Sequence, residues 1–278
     1  MEIPSVKLIS EPTVIPLASM ELDPEGLNAL YDWVKENRAE CLPEEPEDRS
    51  RRGWSLFPHE GREGTGNELL GEIAGRTCYM SFGAKAGRKS NAAYLAHTQA
   101  GPHPHRSILY HPKMSFFLGG ISRALSHELI RHYVGADREE EGSPSQESTR
   151  YTEHPGSFVI PPRIAGNPTA IREFRGNVTE AYREYRRYLD AETRRYREEN
   201  GSDPKGLERK RIYEDAAMRL PASASTSFVW TTNPIAIRKL LSERADESAN
   251  LEIARLARKW AATCELRWPG FFPAEVNR

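Results

Sequence analysis

Cysteine is scarce: Cys41, Cys78 and Cys264 are the only three in 278 residues. An odd, widely spaced set suits neither a disulfide framework nor a zinc site, and it fits a reducing cytoplasm. No run of 18 apolar residues occurs, so no transmembrane helix is expected. Met1 to Ser10 lack the basic stretch and apolar block of a signal peptide. Excess charge of one sign is missing too. The 39 basic and 40 acidic residues leave a net charge of -1, which argues against a general nucleic-acid binder. Lysine is sparse beside arginine, which reflects either a GC-rich coding bias or a need for planar donors to phosphate and uracil.

Common cofactor motifs are absent as well. There is no GxxxxGK[ST] loop, and Gly64-Thr65-Gly66 with Gly71 has the wrong final spacing for a dinucleotide fingerprint. His127-Glu128 begins like a zinc-protease helix, but the second histidine is His132. Five residues separate the two rings by about 140° around a helix, so they cannot share a metal.

What is present reads as helices with scattered short strands in a single domain, 1–278, with a loop insertion near 135–142. An edge strand is expected within residues 1–20. A short helix follows over 24–37, with Leu27, Leu30 and Trp33 at helical spacing. Pro43 to Gly66 reads as a loop. Helices are expected at Leu69 to Tyr79 and Asn91 to Thr98, and a strand at Met114 to Leu118 ended by Gly119-Gly120. Ile121, Leu125 and Leu129 give one apolar face to a helix ending near His132. Residues 135–145 form a surface loop, and Phe158 to Pro161 a strand. Ile171, Phe174, Val178, Tyr182, Tyr185 and Leu189 step by three and four through a long helix that Gly201 ends. Further helices are expected near 207–220 and 246–264, with Ser227 to Thr231 either strand or helical turn.

His103, His105 and His111 lie among prolines in Pro102 to Pro112. They fit a metal cluster, a loop with capping histidines, or a cofactor-contacting loop. A metal-dependent hydrolase is one reading of that set.

The segment 119–151 runs Gly-Gly-Ile-Ser-Arg-Ala-Leu-Ser-His-Glu-Leu-Ile-Arg-His-Tyr, then a loop, then Ser-Pro-Ser-Gln-Glu-Ser-Thr-Arg-Tyr. It resembles the signature of flavin-dependent thymidylate synthases, RHR followed by SxRY. Further blocks match in order: Gly75 to Tyr79, Asn91 to Leu95, Pro104 to His111, Val159-Ile160-Pro161, Leu220-Pro221, Arg244-Ala245-Asp246 and Leu251-Glu252-Ile253. The resemblance implies an α/β (α+β) fold with a small, mostly antiparallel sheet flanked by long helices. It also implies a homotetramer with active sites between subunits.

The implied reaction is reductive methylation of carbon 5 of a uracil nucleotide, dUMP or UMP, using FAD, NADPH and methylenetetrahydrofolate. Such chemistry needs a carbon 5 made nucleophilic. None of the three cysteines sits in a Pro-Cys context suited to addition at carbon 6. Electrostatic polarisation of the ring by arginines, with hydride from a reduced flavin, is the remaining route. By resemblance Arg244 and Ser148 are catalytic, and Glu128, Arg131, Gln146, Glu147, Ser148, Thr149, Arg150, Arg219 and Arg244 hold the nucleotide. His105, Ser107, Arg131, His132, Tyr133, Gln146, Asn233 and Lys239 hold the flavin, and no metal is implied. Glu128 has a rival reading as a surface ion pair with Arg131. Arg244 is read at a helix start, where a cation opposes the dipole and so suggests a task. Asn233-Pro234 alone reads as a turn.

Several positions depart from the family pattern. Tyr133 stands third in RHR, and about seven more residues than usual precede Ser143, among them Arg138 and an acidic run. Ala217 stands where an arginine is usual, with Arg219 two positions on, and Tyr110 and Ser248 replace a glutamate and a histidine. A site rebuilt for UMP, as in nucleoside-antibiotic pathways, accounts for these changes. The alternative is an inactive or repurposed flavin- or nucleotide-binding protein.

Overall fold

The computed structural model describes residues 5–41, 65–82, 91–100, 104–134, 144–246 and 248–273. The loop read at Pro43 to Gly66, most of the loop read at 135–145, His103 and Arg138 lie largely or wholly outside them. Among the described residues six strands are found: β1 Lys7–Ile9, β2 Thr13–Ser19, β3 Met114–Ser122, β4 Ser145–Gln146, β5 Ser157–Val159 and β6 Ser225–Thr232. The same residues hold eight α-helices: α1 Pro24–Asn37, α2 Gly66–Tyr79, α3 Asn91–Gln99, α4 Arg123–Val134, α5 Pro168–Asn200, α6 Gly206–Ala217, α7 Pro234–Arg244 and α8 Leu251–Arg267. The small antiparallel sheet has the order β2-β3-β6-β4, and β1 pairs with β5 in parallel. None of the described helices is long and apolar enough to cross a membrane.

The chain divides into two compact units. One comprises Met1–Val14, Phe117–Trp230 and Arg244–Leu256; the other comprises Ile15–Phe116, Thr231–Glu243 and Ala257–Arg278. Every crossing from one to the other falls inside a regular element: β2, β3, β6, α7 or α8.

In the first unit, α5 presents Val178, Tyr182, Tyr185 and Leu189 to a core shared with Phe158, Ala216 and Ala224. Its ends are marked locally. Asn167 Oδ1 accepts from the amides of Thr169 and Ala170, Pro168 fits the first turn, and Gly201 closes the helix at φ 72°. Gly156 turns the chain into β5 at φ 76°, where a Cβ would lie 2.8 Å from the Tyr182 ring. β5 then pairs Ser157, Phe158 and Val159 with Lys7, Leu8 and Ile9. The expected strand stop at Gly119-Gly120 is corrected: β3 runs on to Ser122. Gly120 takes φ 65°, which bends the strand without ending it.

Buried inside this unit, His154 accepts the Gly156 amide at Nδ1, 3.2 Å, between the rings of Phe158 and Tyr182. Burial pushes its pKa below the usual 6.5. The nearby Ser225 carbonyl opposes this shift and the Arg123 charge adds to it. The unfolded chain therefore binds the proton more readily, so stability is full above about 6.5 and falls as pH drops below it. The melting temperature is expected to decline with acidification in that window. The decline is expected to flatten in His154→Asn, whose Oδ1 can still take the Gly156 proton. An unchanged slope in that variant assigns the acid sensitivity elsewhere.

The second unit is built on a buried polar lattice. Arg76 and Glu72 pair at 2.6 Å with side chains 2% and 1% exposed. Asn91 Nδ2 donates to Glu72 Oε2 at 2.7 Å and to the Glu68 carbonyl at 3.0 Å. Arg76 also donates to the Ser81 carbonyl and stacks 4.5 Å from the Tyr94 ring. Gly75 makes that stacking possible, because a Cβ there would lie 2.5 Å from Tyr94 Oη. Thr65 and Glu68 cap α2 reciprocally, and Glu68 also receives the Gly270 amide at 2.7 Å. Phe116 packs edge-on against Trp260 and Trp268.

The helix α7 was not foreseen. Asn233-Pro234 is a helix start, with Asn233 Oδ1 accepting from Ala236 N at 2.9 Å and proline in the first turn. The final helix starts at Leu251 rather than near 246, capped by Asn250 Oδ1 on the Glu252 amide.

Candidate functional site

Helix α4 gathers the candidate residues of the first unit, because three remote stretches of chain are tied to it. At its start, Glu252 accepts from Ser122 N at 2.8 Å and from Ser122 Oγ at 2.7 Å, while Ser122 Oγ caps Leu125 N at 3.0 Å. In its middle, Gln146 Nε2 donates to Ser126 Oγ and to Thr226 Oγ1, each at 3.2 Å. In its last turns, Arg244 Nη1 meets Glu128 Oε1 at 2.9 Å and Arg244 Nε donates to His132 Nε2 at 2.6 Å. Glu128 and His132 are four apart, so both side chains leave the same helical face. Arginine can only donate, which makes Nε2 of His132 the acceptor and puts its ring proton on Nδ1.

This geometry corrects two expectations. Arg244 closes α7 rather than opening a helix, so the dipole favours its charge instead of opposing it. Its case as a functional residue rests on the contacts to Glu128 and His132. Glu128 pairs with Arg244, not Arg131. Arg131 is exposed in the last turn of α4 and makes no hydrogen bond or ion pair among the described residues. The side chain of Tyr133 lies outside the described residues.

Residues 148–152 form a turn. Ser148 Oγ accepts the Arg150 amide at 3.2 Å, and the Ser148 carbonyl accepts from Tyr151 and Thr152. Thr149 is half-buried in this turn. Glu147 pairs its backbone with Ser227 and accepts the Ser227 hydroxyl at 3.1 Å. Arg150 is exposed and forms an ion pair with Glu214 of α6. Arg219 stacks 3.5 Å above the Tyr188 ring and donates to the Asp215 carbonyl at 2.5 Å.

The remaining predicted residues belong to the second unit. His105 starts a 3-10 turn over Arg106–Leu109, with its ring against Tyr79 Oη, 2.7 Å from Nε2. Ser107 and Lys239 are exposed, whereas Asn233 is buried and engaged as the α7 cap. Among the described residues, no three His, Cys, Asp or Glu side chains group as a metal site. Sequence reasoning missed Tyr79, Ser126, Thr226 and the Glu252 contact to Ser122. A serine just ahead of an apolar-periodic helix was a readable cap signal; the others are tertiary contacts.

The family described as "Thymidylate synthase complementing protein" matches residues 63–270. The chain belongs to this family. It is 36% identical over 195 residues to the flavin-dependent thymidylate synthase of Mycolicibacterium vanbaalenii, covering 69% of this chain and 73% of that relative. It is 37% identical over 206 residues to the flavin-dependent thymidylate synthase of Mycobacterium sp. strain JLS, with the same coverage. In fold it resembles the UMP/dUMP methylase PolB from Streptomyces cacaoi, crystallised with 5-Br dUMP. The TM-score is 0.58 at 18% identity, over 98% of this chain and 96% of that chain. The family blocks now have physical content. Gly75-Arg76 and Asn91 to Tyr94 build the buried lattice of the second unit, and Leu251-Glu252-Ile253 supplies the clip at the start of α4.

Proposed function

We propose that this chain carries out flavin-dependent reductive methylation of carbon 5 of a uracil nucleotide. One observation carries the reading: Arg244, fixed by Glu128 and His132, leaves its Nη2 without a partner among the described residues. A guanidinium so held is suited to a pyrimidine carbonyl, where it favours the anionic ring and raises electron density at carbon 5. Ser148 borders the same pyrimidine in this reading, with Glu128, Arg131, Gln146, Glu147, Thr149, Arg150 and Arg219 around the nucleotide. Arg150 serves the phosphate, which displaces Glu214 from it.

The donor set suits FAD. Arg131 is an exposed cation able to meet a diphosphate, and Lys239, exposed in the second unit, joins the set through the resemblance alone. The hydroxyl of Ser107, the ring of His105 steadied by Tyr79, His132 and the amide of Gln146 offer hydrogen bonds for ring heteroatoms. Asn233, engaged as a cap, belongs to this set through the resemblance alone. Bound FAD supplies the reducing equivalents, with methylenetetrahydrofolate as carbon donor and NADPH as reductant.

The finer points are proposals as well. The two units belong to one domain, because every crossing runs through a regular element. The enzyme is a cytoplasmic homotetramer, its cysteines Cys41, Cys78 and Cys264 being free. Tyr133, Ala217 and Ser248 mark a site rebuilt to admit the 2′-hydroxyl of UMP, as a nucleoside-antibiotic pathway requires. The deciding assay follows tritium release from carbon 5 of dUMP and of UMP with FAD, NADPH and methylenetetrahydrofolate. Folate-dependent release is expected, at the higher initial rate on UMP. No release from either nucleotide by flavin-loaded protein overturns the reading in favour of a repurposed binding protein.

A further inference from the structure

We propose that Glu252 is a positioning residue for the reaction: by clipping Ser122 at the start of α4 it anchors the connection that carries Arg244, and so keeps that guanidinium on the last turns of the same helix. The inference rests on the functional reading above and deepens it. Glu252 meets Ser122 through both carboxylate oxygens, Oε1 accepting the amide at 2.8 Å and Oε2 the hydroxyl at 2.7 Å. Ser122 Oγ in turn accepts the Leu125 amide at 3.0 Å, so one hydroxyl both caps α4 and ties it to α8. The amides of Arg123 and Ala124 are taken by the Ala224 and Ala222 carbonyls, each at 3.0 Å. The first three amides of α4 are thus satisfied without Glu252, and its two bonds serve to join α8 to α4.

Arg244 closes α7 and Glu252 opens α8, eight positions later, and the two grip opposite ends of one helix. Glu128 and His132, which hold Arg244, lie about 9 and 15 Å along α4 from Ser122. All of these groups fall in the first unit. The connection between the grips is braced. Asp246 Oδ1 accepts the Ser248 amide at 2.8 Å and its hydroxyl at 2.5 Å, and the Asp246 carbonyl accepts the Ala249 amide at 3.2 Å. Asn250 Oδ1 then caps α8 on the Glu252 amide at 2.9 Å. A connection so stiffened passes a shift at one end to the other. The charges suit the helix as well, with the carboxylate at the positive start of α4 and the guanidinium at its negative end.

Two substitutions test the clip. Glu252→Gln keeps the length and can still meet both Ser122 groups, its amide donating to Oγ, whereas Glu252→Ala gives up both bonds. A catalytic group misplaced by about 1 Å can cost about 10²-fold. The Ala variant is therefore expected to lose about ten- to a hundredfold in kcat, with nucleotide KM within about twofold and the flavin still bound. The Gln variant is expected to stay within about threefold of wild type. In Arg244→Ala protein, adding Glu252→Ala is expected to change the residual rate by less than about twofold, because the group it positions is gone. A hydrogen-bonded Nε proton resonance of Arg244 is expected in wild type and the Gln variant, and its loss in the Ala variant. Should Glu252→Ala fail to fold, Ser122→Ala, which gives up the hydroxyl bond alone, takes its place, with a kcat loss of about threefold or more expected. Full kcat with an unchanged resonance in the folded variant overturns the proposal, as does a loss of equal size with and without Arg244. Wild-type protein inert on dUMP and UMP sinks the functional reading instead. The resonance, which needs no turnover, then decides the clip by itself.

Discussion

Arg244→Ala is expected to abolish turnover while leaving the protein yellow. The arginine is held by Glu128 and His132, and in the proposed reading its Nη2 edge meets the pyrimidine. Removing one preorganised donor aimed at developing negative charge lowers kcat by about 10²–10³. Loss of a full charge in a sheltered site puts the expected effect at the upper end of that range. The substitution leaves the backbone of α7 intact, since its last turn tolerates alanine well. Visible absorbance of bound FAD, measured beside the tritium-release rate, is the check. A colourless variant would instead assign Arg244 to cofactor retention.

The largest expected effect on stability is at Arg76. Its partner Glu72 is almost wholly enclosed, at 1% side-chain exposure, and the Asn91 amide, a neutral donor, does not replace the charge of the guanidinium. Breaking a buried pair by removing one member costs about 3–5 kcal/mol, because the remaining charge stays dehydrated. Arg76→Met therefore ought to lower the denaturation midpoint by an amount of that order, although the volume is largely kept. The same principle predicts recovery when the second charge goes as well. Glu72→Gln combined with Arg76→Met should regain most of the loss, since the amide can still meet Asn91. A double variant as unstable as the single one would show that packing against Tyr94, not charge, is what Arg76 contributes.

The fold could be read furthest where one element carries its own signals. The long helix α5 announced itself by a three-and-four apolar step between an asparagine cap and a glycine stop. Elements whose signals compete were misread. Asn233-Pro234 fits a turn and a helix start equally well from sequence, and only the bond to Ala236 N decides between them. In α1 the expected face of Leu27, Leu30 and Trp33 holds at Leu27, which is buried, and at Leu30, which packs against the cluster of Tyr31 and Val34, but not at Trp33, which is 52% exposed.

For the site, the motif supplied the residue types and α4 their support. It could not supply the partnering. That Glu128 belongs to Arg244, 116 positions away, follows from how α7 ends and not from any local pattern. The same holds for Glu252 with Ser122 and Gln146 with Ser126. Charge placement misled once. Treating Arg244 as a residue at odds with a helix dipole assumed a helix boundary that the chain does not have.

The anchoring of α4 bears on how freely this sequence can change. The extra residues relative to the family pattern fall in the sequence between His132 of α4 and Ser143, ahead of β4. The end of α4 and the strand β4 are independently moored, one by Arg244 and the other by the amide of Gln146 on Ser126 and Thr226. The contact of His132 with Arg244 and those of Gln146 with Ser126 and Thr226 are made by other elements, so neither depends on the length of the sequence between them.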